Sequence, residues 1–112
     1  MRLEIIRSDD TITHVAIHGR LDVQGVNDLQ YEFLSQTTML PKSTVVDLSK
    51  VSFIGSLGIG MLVSAAKHLE RKGAKMVLLG PSALVRHAIE ASGLHNVIPI
   101  ASEQTAALAL LR

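Results

Sequence analysis

The chain contains no cysteine, which excludes a disulfide framework and any thiolate metal site. It contains no apolar run approaching the roughly 20 residues that cross a bilayer, so membrane insertion is not expected. Neither sign of charge dominates, since 11 Lys plus Arg stand against 10 Asp plus Glu. The basic residues are also scattered rather than gathered into a stripe, so nucleic acid is not an expected partner. Met1-Arg2-Leu3-Glu4 lacks the long apolar stretch of a signal peptide, which together with the missing cysteine points to a cytoplasmic location. No internal repeat or low-complexity linker is visible. What is present is a 47% hydrophobic and 19% charged composition, too apolar for disorder. A length of 112 residues fits one compact domain over residues 1–112.

Local patterns then give an order of elements. Leu3 and Ile5, then Ile12, His14/Val15 and Ile17, read as two short strands about the polar turn Arg7-Ser8-Asp9-Asp10, an opening hairpin. Gly19-Arg20-Leu21-Asp22 interrupts the strand pattern, and Val26, Leu29, Phe33 and Leu34 recur at helical spacing up to a stop at Pro41. A buried strand is expected from Thr44 to Leu48, a helix over 57–72, and a strand from Lys75 to Leu79 ending at Gly80-Pro81. Ser82 is placed to cap a third helix whose apolar face carries Leu84, Val85, Ala88 and Ile89, and Gly93 stands where a C-terminal glycine belongs. Val97-Ile98, Pro99 and a final apolar-faced helix from about Ser102 to Leu111 close the chain. Strands alternating with helices after a hairpin imply an α/β fold with a mixed, mostly parallel sheet and about four helices.

The stretch Val51-Ser52-Phe53-Ile54-Gly55-Ser56-Leu57-Gly58-Ile59-Gly60 is the most informative, because it delivers a serine from a strand end to a helix start. The first N–H groups of a helix lack intrahelical partners and present about half a positive charge, so a hydroxyl there either caps the helix or carries a phosphate. Loops at the carboxyl ends of parallel strands are also where ligands and partners meet such sheets. Projected at about 100° per residue, Ile59, Leu62, Val63, Ala66 and Leu69 face the sheet, while Leu57, Met61, Ser64 and His68 lie opposite. Leu57 and Met61 form either an exposed apolar patch that meets a partner or a surface covered by another helix.

The neighbouring polar residues have structural readings of their own. Asp22 caps the first helix or makes a turn, Asp47 bonds nearby loop amides, and Ser49 and Ser52 are turn residues. Gly58 permits close backbone approach and Gly60 tight helix packing. Gly55-x-x-Gly58-x-Gly60 matches neither the dinucleotide fingerprint nor the P-loop. His14, His18, His68, His87 and His95 include no His-x-x-x-His pair, so no metal is expected. Gly55-Ser56-Leu57-Gly58 lacks the Gly-x-Ser-x-Gly elbow of a hydrolase, and no cofactor or catalytic residue is assigned.

Asp47-Leu48-Ser49 followed by Val51, Phe53, Ile54, Ser56, Gly58 and Ile59 resembles the signature of the STAS domain, as found in bacterial anti-sigma factor antagonists. The resemblance covers nearly the whole chain. Gly19-Arg20-Leu21-Asp22 is similar to the family's glycine-x-apolar-aspartate loop, and Pro81 through Gly93-Leu94, with Val85, Ile89 and Ser92, resembles its later helix and turn.

The resemblance implies a partner switch in which the protein is a substrate and ligand rather than an enzyme. The unmodified antagonist binds an anti-sigma factor serine kinase, the kinase phosphorylates the serine matching Ser56, and a PP2C-type phosphatase reverses the step. Asp22, Gly55, Ser56, Leu57, Gly58 and Met61 become the expected partner-binding residues, and Leu57 and Met61 serve a homodimer equally well. The alternative within the family is a constitutive interaction module of a signalling scaffold or transporter complex, with no phosphorylation cycle. This chain departs from the pattern at Gly55, where many antagonists carry an acidic residue, and at Leu57, where a small residue is common.

Overall fold

The computed structural model describes residues 2–39 and 42–111. Its elements are β1 (Arg2–Ser8), β2 (Ile12–Leu21), α1 (Val23–Thr38), β3 (Ser43–Ile54), α2 (Ser56–Arg71), β4 (Met76–Leu79), α3 (Ala83–Ser92), a 3-10 turn (Leu94–Asn96), β5 (Ile100–Ala101) and α4 (Gln104–Leu110). The five-stranded sheet runs β1-β2-β3-β4-β5, with the first pair antiparallel and each later pair parallel.

Alternation along the strands divides the molecule into two layers of apolar contact. Val15 and Ile17 of β2, Val46 and Leu48 of β3 and Leu78 of β4 join Val26, Leu29 and Phe33 of α1, Leu62 and Leu69 of α2, and Val85 and Ile89 of α3. On the other face Val45, Val77, Leu79 and Ala101 meet Ala107 and Leu111, so α4 covers the β3–β5 side alone. Among the described residues no helix is long and apolar enough to cross a membrane.

Elements bounded by local chemistry match their sequence signals. The Ser82 hydroxyl accepts from the Val85 N–H at 3.3 Å, and Gly93 ends α3 in the left-handed conformation at φ 81°. The hairpin forms, but β1 runs through Ser8, so Arg7 and Ser8 belong to the strand rather than the turn. Asp9 makes the turn itself, accepting from the Thr11 and Ile12 N–H groups and from Arg7, which holds its carboxyl well below the usual carboxylate range.

Three expectations change. First, Gly19-Arg20-Leu21 does not interrupt β2 but continues it; the register against β3 shifts between Ala16 and His18 and again between Gly19 and Arg20, and Gly19 takes φ 111°, which a side chain would disfavour. Second, β3 does not turn after Leu48. It extends to Ile54 because β2 continues beside it, so Ser49 and Ser52 are exposed strand residues and not turn residues. Third, α4 runs Gln104–Leu110, shorter than the expected Ser102 to Leu111, and Ile100–Ala101 forms a last strand that the sequence did not mark. The first helix starts at Val23, ahead of Val26, and its expected stop at Pro41 lies outside the described residues.

β2 also buries a titratable group on the α4 side of the sheet. His14 is 5% exposed, its Nε2 has no hydrogen-bond partner among the described residues, and its charged neighbours are Asp47 and Arg7. Burial pushes its pKa down, only partly countered by Asp47. The folded state therefore takes up this proton later than the unfolded chain, whose histidine titrates near about 6.5. The stability that follows is intact above that pH and is lost as the pH falls below it. Denaturant titrations from about pH 7.5 to about pH 5.5 should show stability falling, by at most about 1.4 kcal/mol per pH unit from this one group. His14→Leu should flatten that slope; an unchanged slope removes His14 as its source.

Candidate functional site

β2 and β3 end side by side, and their loops form the site. Arg20 pairs with Phe53 and Leu21 with Ile54 across the sheet, and the Gly55 N–H donates to the Leu21 carbonyl at 3.0 Å. Asp22, the residue after β2, is thereby set beside Gly55 and Ser56, which follow β3.

Asp22 is the N-cap of α1. Its Oδ1 accepts from the Gly25 N–H at 2.9 Å, and its Oδ2 accepts from Arg20 Nε at 3.2 Å. These bonds, the Gly25 one foremost, hold its carboxyl below the usual carboxylate range. Asp22 is therefore an anionic cap through the neutral range. Asp47 accepts from the Ser49 N–H at 2.8 Å, the local amide bond expected of it.

Ser56 is not the cap of α2. Gly55 occupies the N-cap position, in extended conformation and with no side chain to offer, and Ser56 is the first helical residue. The first α2 bond joins the Ile59 N–H to the Gly55 carbonyl at 3.0 Å, so the N–H groups of residues 56–58 lie ahead of the ladder. No acidic residue occupies that first turn, and Ser56 is exposed with its hydroxyl unbonded among the described residues. No histidine side chain is hydrogen-bonded to it among the described residues.

The remaining expected residues divide by depth. Leu57 is 50% exposed and Val23, in the first turn of α1, is 61% exposed, so both helix starts carry an apolar side chain in solvent. Met61 is not part of that surface. It is 3% exposed and packs in the core with α1 residues, because α2 is covered by α1 along its flank as well as by the sheet beneath. Gly58 is also buried, and a Cβ there would stand 2.9 Å from Leu21 Cβ. Gly60 has nothing within 4 Å of such a Cβ, so close packing is not its role.

Arg20 and Phe53 were not singled out for function by the sequence. The Arg20 Cζ lies 4.5 Å from the Phe53 ring centroid, a cation–π stack, and a Cβ on Gly55 would lie 3.3 Å from Phe53 Cε2. Both residues stand in motif positions, but only the β2–β3 register joins them. Among the described residues no three His, Asp or Glu side chains gather into a metal-sized cluster.

Fold and site together define a small α/β domain that presents an exposed serine at the carboxyl end of its sheet, on an uncapped helix start. The family model of the STAS domain matches residues 4–107, and the chain belongs to that family. It is 28% identical over 98 residues to the anti-sigma-F factor antagonist RsfA of Mycobacterium tuberculosis, covering 80% of this chain and 77% of RsfA. The crystal structure of an anti-sigma factor antagonist from Mycobacterium paratuberculosis superposes with a TM-score of 0.84 at 21% identity, over 99% of this chain and 95% of that one. The Bacillus protein SpoIIAA matches at TM-score 0.74 in its unphosphorylated form, at 22% identity over 94% and 92% of the two chains. Its phosphorylated form matches at 0.66 and 21% identity, over 97% and 99%.

Proposed function

We propose that this chain is an anti-sigma factor antagonist of a bacterial partner-switching pathway, acting in the cytoplasm. It binds an anti-sigma factor serine kinase while Ser56 is unmodified and is released when Ser56 is phosphorylated. The observation that carries this reading is the exposed Ser56 hydroxyl, free of any capping bond, at the head of an α2 terminus that no side chain caps. The antagonist relatives support it.

In the forward step Ser56 Oγ attacks the γ-phosphorus of kinase-bound ATP. The new O–P bond forms as the bond to ADP breaks, and the hydroxyl proton passes to a base on the kinase. A PP2C-type phosphatase returns the hydroxyl by hydrolysis, releasing inorganic phosphate. The uncapped amides and dipole of α2 tolerate the added charge of about −1.5 to −2 in the free domain. The same charge is costly in an apolar interface over Leu57. Asp22, Gly55, Ser56 and Leu57 form the partner surface, while Gly58 and Met61 act from below by seating α2 on the core.

Affinity purification of the tagged protein from its native cells, with phosphopeptide and partner mass spectrometry across growth and stress conditions, tests the reading. A fraction phosphorylated at Ser56, with a kinase recovered only alongside the unmodified form, is expected. Stable partners with no modification at Ser56 under any condition would overturn the switch in favour of a constitutive module. A homodimer through Leu57 would compete with the kinase, which sizing at several concentrations with and without kinase detects.

A further inference from the structure

We propose that Arg20 is the counter-ion that receives the phosphate on Ser56. The proposal rests on the reading of Ser56 as the phosphorylated residue and adds what the folded domain does with the charge. The Gly55–Leu21 bond of 3.0 Å places Ser56 one residue from the end of β2, within reach of a long side chain rooted at residue 20. Phe53 neighbours both strand ends: the Arg20 guanidinium carbon lies 4.5 Å from its ring centroid, and a Cβ placed on Gly55 would lie 3.3 Å from its Cε2.

The state of Arg20 fits this role. Its side chain is 59% exposed, Nε bonds Asp22 at 3.2 Å, and its terminal amino groups make no bond among the described residues. Those groups are the ones that pair with a phosphate in bidentate fashion. No other cation competes nearby in sequence, since residues 51–66 carry no charge, and Lys50 is held further back on β3, opposite His18. A phosphoserine beside Asp22, with Asp28 in the same groove further along α1, would otherwise add its charge to two carboxylates. Arg20 shared between Asp22 Oδ2 and the phosphate offsets that repulsion, while Asp22 Oδ1 keeps capping Gly25. Phosphorylation then leaves α1 capped.

The test uses the full chain with phosphoserine installed at position 56 during translation and follows the phosphate by phosphorus NMR across its second ionisation. A neighbouring guanidinium favours the dianion, so Arg20→Gln should raise that pKa by about 0.5. Arg20→Lys should restore part of the difference and Lys50→Gln should change nothing. In the parent phosphoprotein the Arg20 Nε–H resonance should move as the phosphate titrates. An Arg20→Gln phosphoprotein titrating with the parent, or an Nε–H signal indifferent to the phosphate, overturns the assignment. Neither readout involves a kinase, so this failure is distinct from failure of the switch, which shows as kinase bound equally by modified and unmodified protein.

Discussion

Ser56→Ala is expected to bind the kinase as the parent does, and Ser56→Glu about a hundredfold more weakly. The first half follows because the Ser56 hydroxyl makes no bond in the fold, so its removal leaves no group unsatisfied and no cap lost. The second half follows from placing a carboxylate against an apolar contact, with Leu57 half exposed as the next residue. A desolvation and repulsion penalty of about 3 kcal/mol corresponds to about two decades in affinity. Glutamate carries less charge than phosphate, so authentic phosphoserine should weaken binding further. Both variants should retain the parent's unfolding free energy to within about 0.5 kcal/mol, since position 56 is exposed. Titration calorimetry against the purified kinase decides the matter, and equal affinity for the two variants excludes the switch.

The second large effect lies beneath the serine, at glycines two residues apart on α2. At Gly58 an added Cβ would lie 2.9 Å from Leu21 Cβ, 3.0 Å from Ile54 Cγ1 and 3.0 Å from the Leu21 carbonyl oxygen. Leu21 is fully buried and its carbonyl is already held by the Gly55 N–H, so the helix start rather than the floor must move. Gly58→Ala should overpack at a cost of about 1–3 kcal/mol, offset in part by about 1 kcal/mol of helix propensity. Gly58→Val should be worse still. Gly60→Ala meets nothing within 4 Å and should stabilise by up to about 1 kcal/mol. Opposite signs in urea denaturation would confirm that Gly58 seats α2 on the β2–β3 floor. The same sign at both positions would show that helix propensity alone governs them.

Elements whose ends are set by neighbouring residues were legible in the sequence. Ser82 and Gly93 bound α3 through contacts within a few residues, and the hairpin shows in alternating apolar positions. The polar character of Ser49, Lys50 and Ser52 suggested a turn because exposed strand ends and turns share that composition. Pairing of His18 with Lys50 and of Gly19 with Val51 keeps the chain extended. For Met61 the helical projection leaves two readings open, an exposed patch or a surface covered by another helix, and the second holds. The flank taken by α1 widened the apolar arc and brought Met61 into the core.

The sequence by itself determined that a serine stands at a strand-to-helix junction, behind a glycine and ahead of an apolar helix, because those are nearest-neighbour facts; whether that serine caps the helix it left open. It also offered Asp22 as a cap of the first helix or a turn residue. The tertiary structure alone decided that this aspartate lies beside that serine, that it caps α1 with one oxygen and holds Arg20 with the other, and that Arg20 stacks on Phe53. Those relations depend on the register of β2 against β3, which is set by non-local backbone pairing and by the shared burial of Leu21 and Ile54.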